Sequence, residues 1–262
     1  MDKTGAPFSI LNTRPLPMGE ALQALCTTQG IQSLFCPMIE TKPLPFAPDP
    51  ALATDLDDPH TSWIFISRTA VNLFADALHS MRLSFPPRGK IIAVGPGSRA
   101  QLVQHFPVLT GSIICPEQAN SESLIQLPAL QSGSSKKAWL FKGTGGRTLL
   151  AEHLKQQDIP VEIVDLYRRC PVQYSKEQVI SWCECLALLA TSVDIARAIL
   201  GNTQAQLSPA QQQEFLGQTK WLVLSDRIKQ FLISQSIAAS QIFICEQTDN
   251  SSIINDINLL AK

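Results

Sequence analysis

The sequence predicts an α/β protein of two similar lobes, each built on a parallel sheet covered on both faces. Three observations lead there. The chain has 262 residues, near the size at which a single hydrophobic core stops growing and chains divide. Its apolar runs are short and unbroken, and each is followed by an amphipathic segment of helical length, as in strands buried on both faces. The order of these signals then recurs, offset by about 124–130 residues, as an internal duplication would.

Taken in order, Phe8-Ser9-Ile10-Leu11 reads as a strand. A helix over about 19–29 follows, with Ala21, Leu22, Leu25 and Cys26 on one face and Gly30 suited to its C-terminal cap. Pro37 to Pro43 is bounded by prolines and should be extended. Residues 45–59 read as a Pro/Asp-rich loop. Trp63-Ile64-Phe65-Ile66 is a strand, followed by a helix burying Ala70, Val71, Phe74, Ala77 and Leu78. Ile91-Ile92-Ala93-Val94 leads into a helix near 98–105. After a flexible turn at 132–137, Ala138-Trp139-Leu140-Phe141 leads into a helix from about Arg147 to Gln157. Asp165 to Pro171 is a second extended segment, matching 37–43. The strands at 186–190 and 221–224 echo those at 63–66 and 91–94. The stretch 243–254 echoes 113–125, although Ser/Asn/Gln-rich turns can also match by chance. The two extended segments are candidate inter-lobe linkers.

Composition removes several functions. The apolar share is 45%, so a largely disordered chain is excluded. Lys and Arg number 21 against 22 Asp and Glu, without the basic excess of a nucleic-acid coat. A small anion remains open as a ligand, because it needs a few aimed donors rather than a basic domain. Seven cysteines and four histidines are scattered with no CxxC, so no zinc pattern forms from neighbours and the thiols read as mostly buried in a reducing compartment. Neither a signal peptide nor a membrane span is legible, so a cytoplasmic protein is expected.

The sharpest chemical signal is Lys142-Gly143-Thr144-Gly145-Gly146-Arg147, between a strand and a helix. Glycines there let backbone approach a ligand, and a helix start offers free N–H groups to a carboxylate or phosphate. No complete phosphate-binding fingerprint is present, and a tight turn without a ligand is the competing reading. Thr13 and Arg14 occupy the equivalent turn in the first half; Arg14 has the planar fork to grip a carboxylate, though an isolated surface arginine is commoner. Ser67, Gly95, Thr191, Ser192 and Ser225 each follow a predicted strand, at the edge where open α/β sheets bind ligands. They fit helix capping as readily. Tyr167 lies in a proposed linker, either as a proton donor or as a half-buried aromatic with a satisfied hydroxyl. The residues alone therefore reach a two-lobed α/β anion binder.

The motifs, taken together, resemble the uroporphyrinogen-III synthase family, in its bacterial form and over nearly the whole chain. The carriers are Leu11 to Pro15, Pro37 to Glu40, Ile64 to Val71, Ala93 to Gly95, Ser121 to Leu124, Lys142 to Arg147 and Leu166 to Cys170. The resemblance implies two flavodoxin-like (parallel-sheet, doubly wound) lobes joined by a two-stranded linker, with the active site in the cleft between them. Lobe one would be 1–36 with 175–262, lobe two 44–164, and the linkers 37–43 and 165–174. It implies a cofactor-free, metal-free monomer that cyclises hydroxymethylbilane with loss of water and inversion of the terminal pyrrole ring. It implies a small molecule as sole partner, with neither nucleic acid nor membrane. The family's cleft tyrosine matches Tyr167, the candidate acid for the departing hydroxyl. Arg68 departs from the small residue or proline common after Ser67, and Ser225-Asp226-Arg227 lacks the glycine found at Gly95. A non-catalytic two-lobed module binding a small polyanion is the alternative, and a nucleotide enzyme is a third, weaker class.

Overall fold

A computed structural model describes residues 9–46, 50–82, 85, 87–145 and 148–260. Its strands, in chain order, are β1 Ser9–Asn12, β2 Gln32–Phe35, β3 Ile39–Pro43, β4 Thr61–Phe65, β5 Lys90–Ala93, β6 Lys137–Gly143, β7 Val161–Pro171, β8 Ala187–Ala190, β9 Lys220–Val223 and β10 Ile242–Ile244. Its helices are α1 Met18–Thr28, α2 Pro50–Leu56, α3 Arg68–Ser80, α4 Pro96–His105, α5 Ser121–Leu124, α6 Leu149–Gln156, α7 Lys176–Trp182, α8 Val193–Gln206, α9 Pro209–Gln218, α10 Asp226–Ser234 and α11 Asn250–Leu260. The chain divides into two compact units, Met1–Glu40 with Cys170–Lys262, and Thr41–Arg169.

The first unit carries a sheet of order β10-β9-β8-β1-β2, parallel throughout. Alternate residues feed two cores. Leu11, Leu188, Trp221 and Val223 pack on one face with α8 residues Ile195 and Ile199. Ile10, Ala187, Leu189 and Leu222 pack on the other with Leu22 of α1 and Ile253 and Ile257 of α11. A strand sandwiched this way has no polar face to show, so its sequence is an unbroken apolar run.

The second sheet has the order β3-β7-β6-β4-β5, with β7, β6, β4 and β5 parallel. One face is aromatic: Trp63 stacks on Trp139 at 6.0 Å between ring centres, and Phe65 on Phe141 at 4.8 Å. The opposite face is aliphatic, from Ile64, Ile92 and Leu140 to Leu150 and Leu154 of α6. The β3 and β7 strands run in opposite directions, bracketed by Leu44 N–H donating to Leu166 O (2.8 Å) and Val172 N–H donating to Met38 O (2.9 Å).

The duplication is visible in the pairing. The neighbours β1 and β2 stand to β8 and β9 as β6 and β7 stand to β4 and β5. Where β10 pairs with β9, Ile114 makes a single parallel bridge to Ile92 of β5. One expectation needs correction. The stretch 45–59 is not all loop, because α2 occupies Pro50–Leu56 with proline at its first position, where a missing N–H costs nothing. The helix expected after β6 spans Leu149–Gln156, with Thr148 as its N-cap and no side-chain capping bond. Among the described residues, no helix is long and apolar enough to cross a membrane, and no cluster of His, Cys, Asp or Glu could hold a metal ion.

Candidate functional site

In each unit the predicted residues collect just beyond the carboxyl ends of the parallel strands. In the second unit, Ser67 follows β4, Gly95 follows β5, Lys142 and Gly143 end β6, and Tyr167 lies in β7. Tyr167 is placed by an irregularity. The β6–β7 register runs evenly from Ala138↔Val161 to Lys142↔Asp165, then shifts so that Gly143 faces Tyr167. A strand without that shift would send Leu166 and Tyr167 to opposite faces; instead both join the aromatic core, 1% and 6% exposed.

Three contacts then hold the tyrosine. Its carbonyl accepts from Thr144 N–H at 2.7 Å. Its ring covers Gly143 so closely that a Cβ there would lie 2.5 Å from Cε2 and 2.7 Å from Cζ. Its hydroxyl donates to Ser67 Oγ at 3.0 Å. Ser67 is itself fixed as the N-cap of α3, in extended backbone, with Oγ accepting from Ala70 N–H at 3.0 Å. The glycine turn thus does something its composition does not announce, giving a buried tyrosine room to sit against the strand end.

The other members of this edge serve varied ends. Lys142 Nζ is 3.1 Å from Asp165 Oδ1, so its charge is partly answered within the sheet. Gly95 is the N-cap of α4 in fully extended backbone, and glycine is needed there for space, since a Cβ would strike the Ala119 side chain. Gly145 has φ +72, the left-handed region that favours glycine. Gly146 and Arg147 lie outside the described residues.

In the first unit, Thr13 and Arg14 follow β1 but turn inward. Thr13 is fully buried and its Oγ1 donates to Leu189 O of β8. Arg14 is only 6% exposed. Its Nη1 donates to Thr248 O at 3.4 Å and to Asn250 Oδ1, at the start of α11, and its Nη2 meets Met18 Sδ at 3.5 Å. Nε finds no partner among the described residues. Burial pulls the guanidinium's pKa down, opposed by the nearby Asp249 and Cys245. Arg14 therefore ties the β1 turn to the α11 turn from inside. Thr191 precedes Ser192, which caps α8 by accepting from Ile195 N–H at 3.2 Å. Ser225 has the extended backbone of an N-cap at α10 but makes no side-chain capping bond.

Sequence reasoning did not single out Asp165, Asn120 or Asn250. The last two begin equivalent helices: Asn120 caps α5 by accepting from Ser123 N–H at 2.7 Å, and Asp249 and Asn250 open α11. The repeated Asn-Ser signal at 120–121 and 250–251 was the clue available.

Two parallel α/β sheets whose polar residues gather at their carboxyl edges define a protein of the ligand-handling α/β class. The family model described as "Uroporphyrinogen-III synthase HemD" matches residues 20–255, and the chain belongs to that family. It is 28% identical over 253 residues to the uroporphyrinogen-III synthase of Escherichia coli (strain K12), covering 94% of this chain and 98% of that protein. A crystal structure of a mutant uroporphyrinogen III synthase from the extremely thermophilic bacterium Thermus thermophilus superposes with a TM-score of 0.61 at 18% identity, covering 97% of this chain and 98% of that one. The structure of uroporphyrinogen-III synthetase from Helicobacter pylori 26695 gives 0.59 at 14% identity, with 97% and 99% covered. The structural likeness supports the fold, and the family match makes the chain a lyase of the cyclising kind in porphyrin and haem biosynthesis.

Proposed function

We propose that this chain converts hydroxymethylbilane to uroporphyrinogen III, losing water and closing the ring with the terminal pyrrole inverted. The single observation that carries the chemistry is the Tyr167–Ser67 pair at the carboxyl edge of the second sheet, in a chain that belongs to the synthase family. The substrate is a linear tetrapyrrole bearing many acetate and propionate carboxylates. Backbone N–H groups and hydroxyls at Thr191, Ser192, Ser225, Gly95 and the 143–145 turn are the donors we assign to those carboxylates, with Thr13, Arg14 and Lys142 as supporting residues; Ser67 faces the departing hydroxyl instead.

Departure of the terminal hydroxyl needs a proton, and the Tyr167–Ser67 pair is the source. It leaves an azafulvene cation that the last pyrrole attacks, through a spiro intermediate, to close at the inverted position. Cyclisation without the enzyme gives the unrotated isomer, so the protein's main contribution is orientation of the chain before closure.

We read the two units as flavodoxin-like lobes. Counted from β1, the first sheet has the order 2-1-3-4-5 of a flavodoxin-like doubly wound sheet; the second, counted from β6 and wrapping round to β4, has the order 2-1-3-4, with the Ile114 bridge in the fifth place and β3 added at the opposite edge. In this reading 37–43 and 165–174 are the two linking strands, and the protein acts as a cytoplasmic monomer. The test is direct. Purified protein incubated with hydroxymethylbilane, then oxidised and separated, gives mainly isomer III; isomer I in the proportion of a protein-free blank refutes the assignment.

A further inference from the structure

We infer that Ser67, not Tyr167, is the group that hands the proton to the departing hydroxyl, with Tyr167 resupplying it from behind. The inference rests on the cyclase reading above and adds the order of the proton path.

Hydrogen-bond capacity makes the argument. Ser67 Oγ accepts from Ala70 N–H and from the Tyr167 hydroxyl, each at 3.0 Å. Those two donors occupy both lone pairs of the serine oxygen. The serine's own proton has no acceptor among the described residues, so it is the free donor of the pair. Exposure points the same way: Tyr167 is 6% exposed and sunk in the aromatic core, whereas Ser67 is half-buried at the strand end. With the phenol donating to Ser67 Oγ, the serine proton is left for a third partner.

The step balances. The Ser67 O–H bond breaks as its proton reaches the substrate's hydroxyl, and the carbon–oxygen bond breaks to release water. The Tyr167 O–H proton passes to Ser67 Oγ, leaving a phenolate. Ring closure later expels a proton from the pyrrole carbon that forms the new bond, and that proton restores the phenol. The net change is loss of one water, with no outside acid consumed. Ala70 N–H holds Ser67 in register throughout, because a helix-capping oxygen cannot rotate away without losing its cap.

The test compares Ser67→Gly, Tyr167→Phe and the double variant, measuring kcat for isomer III and the melting temperature of each. Glycine costs a cap position little, so Ser67→Gly removes the hydroxyl with minor effect on folding. Ser67→Asn, which keeps a capping oxygen but has no hydroxyl, serves if the glycine variant is unstable. A lost proton donor is worth about 10²-fold or more in rate. We expect Ser67→Gly and Ser67→Asn to fall by about as much as Tyr167→Phe, and the double variant to fall no further than the worse single one. Ser67→Thr, which retains both cap and hydroxyl, restores most of the rate. Ser67→Gly within about 3-fold of the unaltered protein, or losses that multiply in the double variant, overturns the relay. Failure of the unaltered protein to make isomer III would instead overturn the cyclase reading itself.

Discussion

Gly143→Ala isolates the placement of Tyr167 from its chemistry, because it removes no polar atom. An alanine Cβ at this position would lie 2.5, 2.7 and 3.0 Å from three carbons of the Tyr167 ring, where ordinary contact begins at 3.4 Å. The ring must retreat by about 0.9 Å, or the β6 strand end must. If the ring moves, the 3.0 Å bond from its hydroxyl to Ser67 Oγ stretches towards about 4 Å, beyond hydrogen-bond reach. Misplacing a reacting group by an ångström costs about 10²-fold in rate, and overpacking costs about 1–3 kcal/mol in stability. Gly143→Ala should therefore lower kcat by about 10²-fold while urea unfolding shows a loss of about 1–3 kcal/mol. The assay is initial-rate formation of isomer III on protein shown to be folded by circular dichroism. A kcat within about 3-fold of the unaltered protein would refute the claim that this glycine seats the tyrosine.

Other outcomes follow from the same geometry. Thr13→Val removes the hydroxyl that Leu189 O accepts at a fully buried position and should cost about 1–3 kcal/mol by denaturant titration. Gly30→Ala, at φ +68 with open space around it, should cost about 1–2 kcal/mol through backbone strain alone, leaving kcat per folded molecule unchanged. The Cys245 thiol is pushed up to about 12, chiefly by burial and also by Asp256. It should resist iodoacetamide at pH 8 in the native protein and react once unfolded, as peptide mapping would show. Because its folded pKa lies above the ordinary value of 9.0, its contribution to stability is full below about pH 9 and is lost as pH rises towards 12; unfolding midpoints should fall across that window.

Much of the fold was legible because these strands are buried on both sides. Ile64-Phe65 and Leu188-Leu189 can read as nothing but core, and Ser67 and Ser192 mark the helices that follow. Helices α7 and α9 were not singled out, although Ser175 with Gln178 and Ser208 with Gln211 form complete capping boxes. Helix α2 hid inside a stretch read as loop from its Pro and Asp content, although proline also suits a helix start, as at Pro50. The candidate site residues could be marked because periodicity places the strand ends, and the 142–147 turn could be read as an anion cradle or as a tight turn without a ligand; the seating of Tyr167 against Gly143 could not be read at all. What Gly143 touches depends on a register shift against β7, set by pairing between segments distant in sequence, which no local pattern encodes. Arg14 misled in a similar way: an arginine in a turn suggests a surface, and only tertiary packing buries it against the start of α11.

The pairing of β1 with β8 has a consequence for synthesis. Ile10 is paired with Ala187, and the whole second unit is written between them. A ribosome adding about 5–20 residues per second leaves β1 and its helix waiting roughly 10–35 seconds for that partner. Thr41–Arg169 is continuous and can complete its sheet while the first unit is still half-made. During that interval Ile10 and Leu11, both fully covered in the finished protein, have only β2 beside them, a template open to wrong strands. The nascent chain should therefore recruit chaperones most strongly after the second unit has emerged and before β8 does, which profiling of ribosome-bound chains at successive lengths would reveal.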